Sequence, residues 1–165
     1  GYFRPSRNRF RTIYGSSLIN YRLSLQLQLC GQLYALLDTN FLHKNGKSIG
    51  LQDATKVFLV PIDIGMKYYI PIAKWVSFYV KAAGEITATF IENDTPFVED
   101  IAQSSGGAVT GVGLFSSFME DSSFCIDLFA DYSFVKLHTF GTATSNEGRC
   151  ELGGLILGGG IGYKF

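Results

Sequence analysis

Residues 21–29 read YRLSLQLQL, a stretch in which apolar and polar side chains alternate without a fault. In a helix, a repeat of two residues would scatter the leucines around the whole circumference. In a strand it places them on one face and the polar groups on the other. The stretch therefore predicts a β-strand with Leu23, Leu25 and Leu27 on one face.

The same alternation recurs along the chain, and no amphipathic helical pattern accompanies it. In residues 60–70, for example, Ile62 and Ile64 oppose Asp63 and Lys67. Residues 106–118 are also strand-like, but Gly and Ser occupy both sets, so their facing stays open. An all-β chain is predicted, and the other alternating stretches are 76–90, 124–134 and 155–165.

Connections of two lengths separate these stretches, as expected for an antiparallel up-and-down sheet. Counting them predicts about eight strands, the first nearly absent because the sequence begins inside it. If residues 18–38 form one long strand instead, the count is seven. The predicted short turns are 28–31, 71–74 and 119–123, and the predicted long loops are 4–11, 39–55, 92–105 and 138–148.

Alternation alone does not say which face of the sheet is the core. A soluble lipocalin-type barrel is apolar inside, whereas a membrane barrel turns its apolar face to lipid. Only 17% of residues are charged, against about 25% in a typical soluble domain. The polar face is rich in small uncharged groups, and its positive and negative charges are expected to balance, so they can pair inside a narrow barrel. These predicted interior charges are Arg22, Asp63, Lys67, Lys81, Glu85, Asp127 and Asp131.

Composition narrows the function classes. The 165 residues fit one domain, 1–165, and a formal net charge of zero gives no basic footprint for nucleic acid. Cys30, Cys125 and Cys150 have no CxxC spacing, so a structural zinc site is not expected, and at most one disulfide could form. No apolar run approaches the roughly 18–20 residues of a transmembrane helix. The first residues do not have the pattern of an export signal, so we expect that any such signal has been removed or was never present.

The last eight residues, GGGIGYKF, resemble the closing strand of bacterial outer-membrane β-barrel proteins. Those strands end in Phe, with an aromatic residue two positions earlier and apolar residues at alternate positions before it. Leu157, Ile161, Tyr163 and Phe165 match this pattern, and Gly159 departs from it. Residues 64–69, 78–84 and 111–114 are similar to the small eight-stranded OmpX, OmpA and OmpW group, and the resemblance spans roughly residues 56–165.

The resemblance implies a closed antiparallel up-and-down transmembrane β-barrel in the outer membrane of a bacterium with a double envelope. It also implies contact with outer-membrane lipid and lipopolysaccharide. The barrel-assembly machinery would insert the chain and read the terminal strand as its signal. A basic cluster could bind lipopolysaccharide phosphates at the outer rim or could simply be a solvated loop. Its members are Arg4, Arg7, Arg9 and Arg11.

No catalytic, cofactor or metal site is expected. His43 and His138 are the only histidines, and both fall in predicted long loops. Lipid A deacylases carry a Ser two residues after a His, whereas Phe140 stands at that position here. The sequence favours a non-enzymatic structural or surface-interaction module, whose loops 39–55, 92–105 and 138–148 would meet a surface ligand or host protein. The alternatives are a narrow channel for small or hydrophobic solutes and a soluble lipocalin-like carrier with the faces reversed.

Overall fold

The computed structural model describes residues 1–6, 17–47, 54–93, 101–117, 123–138, 149–151 and 153–164. Throughout these residues the regular structure is antiparallel β-sheet. The strands are β1 (Tyr2–Pro5), β2 (Leu18–Cys30), β3 (Leu33–Lys47), β4 (Ala54–Ala73), β5 (Val76–Asn93), β6 (Ile101–Ser117), β7 (Phe124–His138), β8 (Arg149–Glu151) and β9 (Gly154–Tyr163).

Eight of these strands form one ring-like sheet. Each strand from β1 to β7 pairs with the next along the chain, and β9 pairs with both β7 and β1. The short β8 pairs with β7 in the register of β9, because Lys136 lies opposite Glu151 and Ser133 lies opposite Gly154. The predicted all-β, antiparallel, eight-stranded architecture is confirmed, and the seven-strand alternative is wrong.

The polar face of the sheet is turned inward and the apolar face outward. In β4, Asp63 and Lys67 are buried while Ile64 and Met66 are exposed. Strand β6, whose facing the sequence left open, buries Val109 and exposes Val112 and Leu114. Because side chains alternate along each strand, the two faces stay separate around the ring.

Tight turns join consecutive strands at one end of the ring, which we call the turn end. The long connections lie at the opposite end. Strands β2 and β3 meet at Gly31 and Gln32, within one residue of the predicted position. Gly31 has a φ of +53°, a left-handed conformation that favours glycine. The turn between β4 and β5 lies at Lys74 and Trp75 rather than at 71–74, because β4 continues through Ala73.

Two of the predicted long loops are largely strand. The loop prediction 39–55 is wrong over 39–47 and 54–55, and the prediction 92–105 is wrong over 92–93 and 101–105. Asn40 and Ser105, two polar residues within these predicted loops, are buried on the inner face. Arg4 and Pro5 belong to β1, Ser6 follows them and His138 ends β7. The remaining residues of 4–11, 39–55, 92–105 and 138–148 lie outside the described residues.

Pairing around the ring is incomplete at the turn end. Strand β1 covers only the first residues of β2 and residues 154–157 of β9. Beyond β1, residues 21–30 of β2 pair with β3 alone, and residues 158–163 of β9 pair with β7 alone, among the residues that the structure describes. We call this space between β2 and β9 the seam.

Gly65 lies at a close approach of β4 to β5, where a Cβ atom would collide with the backbone of Ala82 and Ala83. Replacing Gly65→Ala should lower the free energy of unfolding by about 1–3 kcal/mol, the usual range for overpacking. Urea unfolding in detergent micelles measures the change. Gly106→Ala is the matched control, because no atom lies within 4 Å of a Cβ there. Equal midpoints for the two variants would contradict this packing.

Candidate functional site

Lys81 is the centre of a buried charge network on the inner face. Its Nζ donates to Asp38 at 2.8 Å, to Asp63 at 2.9 Å and to Asp131 at 3.1 Å. All four side chains are almost completely buried. The ammonium group of β5 therefore ties together β3, β4 and β7 across the interior. Asp38 was not among the predicted interior charges.

Arg22 extends this network from β2. Its guanidinium donates to the Asp131 carboxylate and, through Nε, to Asn40 Oδ1 at 3.1 Å. Asn20 Nδ2 donates to the same Asn40 oxygen at 3.0 Å. The guanidinium carbon also lies 3.8 Å from the centre of the Phe129 ring, a cation–π contact. Asn20 and Asn40, which the sequence analysis missed, orient the arginine that neutralises Asp131.

A second ion pair lies nearer the turn end. Lys67 Nζ donates to Asp127 Oδ2 at 3.3 Å, and the Tyr79 hydroxyl donates to Asp127 Oδ1 at 2.7 Å. The Lys67 ammonium also lies 4.2 Å from the centre of the Tyr79 ring. Asp127 thus receives a bond at each carboxylate oxygen, while its side chain stays partly exposed.

Glu85 differs from the other interior carboxylates. It accepts hydrogen bonds from Thr87 Oγ1 at 2.8 Å and from Ser133 Oγ at 2.6 Å. It forms no ion pair within the described part of the chain. Beside it lies a cavity of about 20 Å³, which is room for a single water molecule.

The predicted interior charges share the inner face, but the expectation that they balance is wrong. The described interior holds three cations, Arg22, Lys67 and Lys81. It holds five carboxylates, which are Asp38, Asp63, Glu85, Asp127 and Asp131. The predicted set already had one carboxylate in excess, and Asp38 adds another.

Apolar layers close the interior above and below the charges. Toward the long connections, Phe3, Leu42 and Val135 belong to a fully buried cluster. At the turn end, the Tyr69 ring packs 5.0 Å from Tyr34 and 5.5 Å from Phe115, centre to centre. Together with the ion pairs, these layers fill the described interior with side chains.

The outer face of the ring is apolar. Exposed side chains include Leu23 at 72%, Leu27 at 68% and Ile161 at 89%. Aromatic side chains stand on this face near both ends: Phe124 packs against Tyr163 at the turn end, and Tyr132 packs against Phe134 toward the long connections. The exposed apolar surface thus forms a belt between two aromatic groups.

The residues predicted from the family resemblance are dispersed over this surface. Leu157, Ile161 and Tyr163 point outward on β9, and Phe165 lies outside the described residues. Arg4 is exposed on β1. The other members of the basic cluster, Arg7, Arg9 and Arg11, lie outside the described residues.

Both histidines belong to strands. His43 is exposed on β3, so its placement in a loop was wrong, and His138 ends β7. Cys30 and Cys125 are free thiols, the first exposed and the second buried, and Cys150 lies in β8. The described residues contain no group of three His, Cys, Asp or Glu side chains that could hold a metal ion. They also contain no helix long and apolar enough to cross a bilayer.

No protein-family model matches this chain, and no curated protein is significantly similar to it.

Removing the central cation should destabilise the fold strongly. In Lys81→Ala, three buried carboxylates would face one another with only Arg22 to neutralise them. We expect a loss of about 3–5 kcal/mol, the usual result of leaving a buried charge without its partner. Urea titration of the protein refolded into lipid vesicles measures the loss. Lys56→Ala, which removes an exposed lysine, is the control. An unchanged midpoint for Lys81→Ala would show that the network is not needed for stability.

Proposed function

We propose that this chain is an integral outer-membrane β-barrel protein without enzymatic activity. It acts as a structural or surface-interaction module through its long connections. The observation that carries the proposal is the separation of the two faces, with ion pairs inside the ring and a belt of exposed leucine, isoleucine and aromatic side chains outside.

The outer belt supports a lipid environment. Monomeric soluble proteins rarely expose contiguous apolar patches above a few hundred Å², whereas here every long strand contributes exposed apolar side chains. Aromatic residues at both ends of the belt fit the two interfaces of a bilayer, where their amphipathic rings sit at the headgroups. Strands β2 to β7 have 13 to 20 residues each, more than the about 9–11 that a tilted membrane strand needs.

The filled interior favours a structural or interaction module over a channel. The side chains of the charge network and of the apolar layers occupy the middle of the described interior, and the cavity beside Glu85 has room for about one water. The facing also speaks against a soluble carrier, because Leu23, Leu25 and Leu27 point away from the interior. The long connections then make the contacts outside the membrane. Arg4, beside one of them, contacts lipopolysaccharide phosphates.

Ile64 and Ile72 offer a matched test of membrane insertion. Both are 64% exposed on β4. Ile64 lies at the middle of the strand and Ile72 lies beside the turn, about 27 Å away at the usual rise per residue. In a bilayer, Ile64→Arg should lower the free energy of unfolding by about 2–4 kcal/mol, and Ile72→Arg by about 0–1 kcal/mol.

The measurement is urea-dependent folding into phospholipid vesicles, with detergent micelles as a second condition. The cost of the arginine depends on its depth only in a bilayer, and this dependence distinguishes a bilayer from other apolar surroundings. Equal costs at the two positions in vesicles, or a native chain that stays monomeric in buffer without any amphiphile, would contradict the proposal.

A further inference from the structure

Glu85 ends a row of three acidic residues on the inner face. Asp38 of β3 is paired with Asp63 of β4, and Asp63 is paired with Glu85 of β5. Directly paired residues of an antiparallel sheet share a face and lie close together, and like charges at such positions repel. All three residues are buried. The row therefore places three carboxyl groups on adjacent strands, away from water.

Positive charge reaches only part of this row. Lys81 Nζ donates to Asp38 and to Asp63, and Arg22 Nη1 lies 3.9 Å from an Asp38 carboxylate oxygen. Among the described residues, Glu85 has only hydroxyl partners. The described interior holds five carboxyl groups and three cations. Ionisation of all five would therefore leave two negative charges in excess.

The surroundings of Glu85 favour a neutral carboxyl group. Apart from Thr87 and Ser133, the residues that line the cavity beside it are apolar, namely Phe3, Leu42, Leu59, Pro61, Val135 and Ile156. On the paired strand, the Asp63 Oδ1 atom is buried and has no hydrogen-bond partner among the described residues. An apolar pocket and a neighbouring carboxylate both disfavour the charged form of a carboxyl group.

The charged groups on the strands around Glu85 do not offset its charge. Those that the described strands turn inward are Arg22, Asp38, Asp63, Lys67, Lys81, Asp127 and Asp131. Each of the three cations is bound to a carboxylate other than Glu85. Strands β6 and β9 contain no charged residue, and Arg4 of β1 is exposed. The residues paired with Glu85 are Asp63 and Gly107, so neither pairing supplies a positive charge.

We propose that the pair formed by Asp63 and Glu85 is a proton-binding site, in which Glu85 carries a proton in the folded chain at neutral pH. The proton comes from the solvent when the chain folds. A hydroxyl group can donate or accept, so the protonated carboxyl donates to Ser133 Oγ while Thr87 Oγ1 donates to its other oxygen. Folding is then coupled to the uptake of one proton.

This uptake sets the sign of the pH dependence. An unfolded glutamic acid loses its proton above about pH 4.3, whereas Glu85 of the folded chain keeps its proton at neutral pH. Above that value the folded state holds one more proton than the unfolded state, so its stability falls as the pH rises. Glu85→Gln has nearly the shape of the protonated side chain and no proton to lose, so it removes this dependence.

The test compares urea unfolding of the native chain and of Glu85→Gln in detergent micelles. Between about pH 5.5 and about pH 7.5, the folding equilibrium constant of the native chain should fall at least about tenfold relative to that of Glu85→Gln. Thr87→Val is the matched control, because it alters the same site but keeps the carboxyl group, and it should keep the pH dependence of the native chain. Equal pH dependence of the native chain and Glu85→Gln overturns the proposal.

Infrared spectroscopy detects the proton directly in the native chain. A protonated carboxyl group has a carbonyl band separate from those of carboxylates and amides. This band should be present in the folded native chain at neutral pH and absent from Glu85→Gln. Its absence from the native chain overturns the proposal, and so does a band that persists in Glu85→Gln and disappears in Asp63→Asn.

A metal cation is the alternative counter-charge, and it has its own result. A flat pH profile, with stability that rises when sodium replaces choline at constant ionic strength, shows such a cation and overturns the proposal. None of these measurements needs a bilayer, so their outcome is independent of the arginine test of membrane insertion.

Discussion

A lysine ammonium held between three carboxylates is the interaction on which the rest of this structure depends. Once the polar face of the sheet is turned inward, its charges leave water, and isolated buried charges are not tolerated. Lys81 meets this constraint by reaching Asp38, Asp63 and Asp131 from the middle of the ring, and Arg22 supplies the second positive charge. The apolar outer face is possible only because the charges that it displaces to the inner face are paired in this way.

The interior is layered rather than uniformly polar. Aromatic rings occupy the turn end, ion pairs the middle, and an apolar cluster with Phe3 and Leu42 the end near the long connections. The apolar layers limit the access of water to the ion pairs, which strengthens their attraction by lowering the local dielectric constant. They also place buried side chains on both sides of the ion pairs within the described part of the ring.

The two-residue alternation was sufficient to predict most of the strands. The inward facing of the polar side was inferred from the low charge content and the charges of that side, and the count of connections left eight or seven strands open. The alternation worked best where one face is wholly apolar, as in residues 21–29. It failed toward the long connections, because Asn40 and Ser105 face inward there and polar strand residues look like loop residues. The buried Leu42 and Val57 break the alternation for the opposite reason, since they are apolar on the inner face. The sequence analysis missed Asp38 because this residue follows two adjacent leucines, which interrupt the alternation. Only the pairing of the strands in the sheet brings its side chain close to Lys81. The seam follows from the short first strand, which the sequence predicted.

The central claim, that the outer face meets acyl chains, is tested most directly by fluorescence quenching from lipids brominated along their chains. The natural Trp75 is the only tryptophan, so a chain carrying Trp75→Phe and Ile64→Trp reports the middle of the belt alone. Strong quenching in brominated vesicles, deeper than that of Trp75 in the natural chain, is the predicted result. Absence of quenching at position 64, in a chain that is folded and bound to the vesicles, would contradict the account.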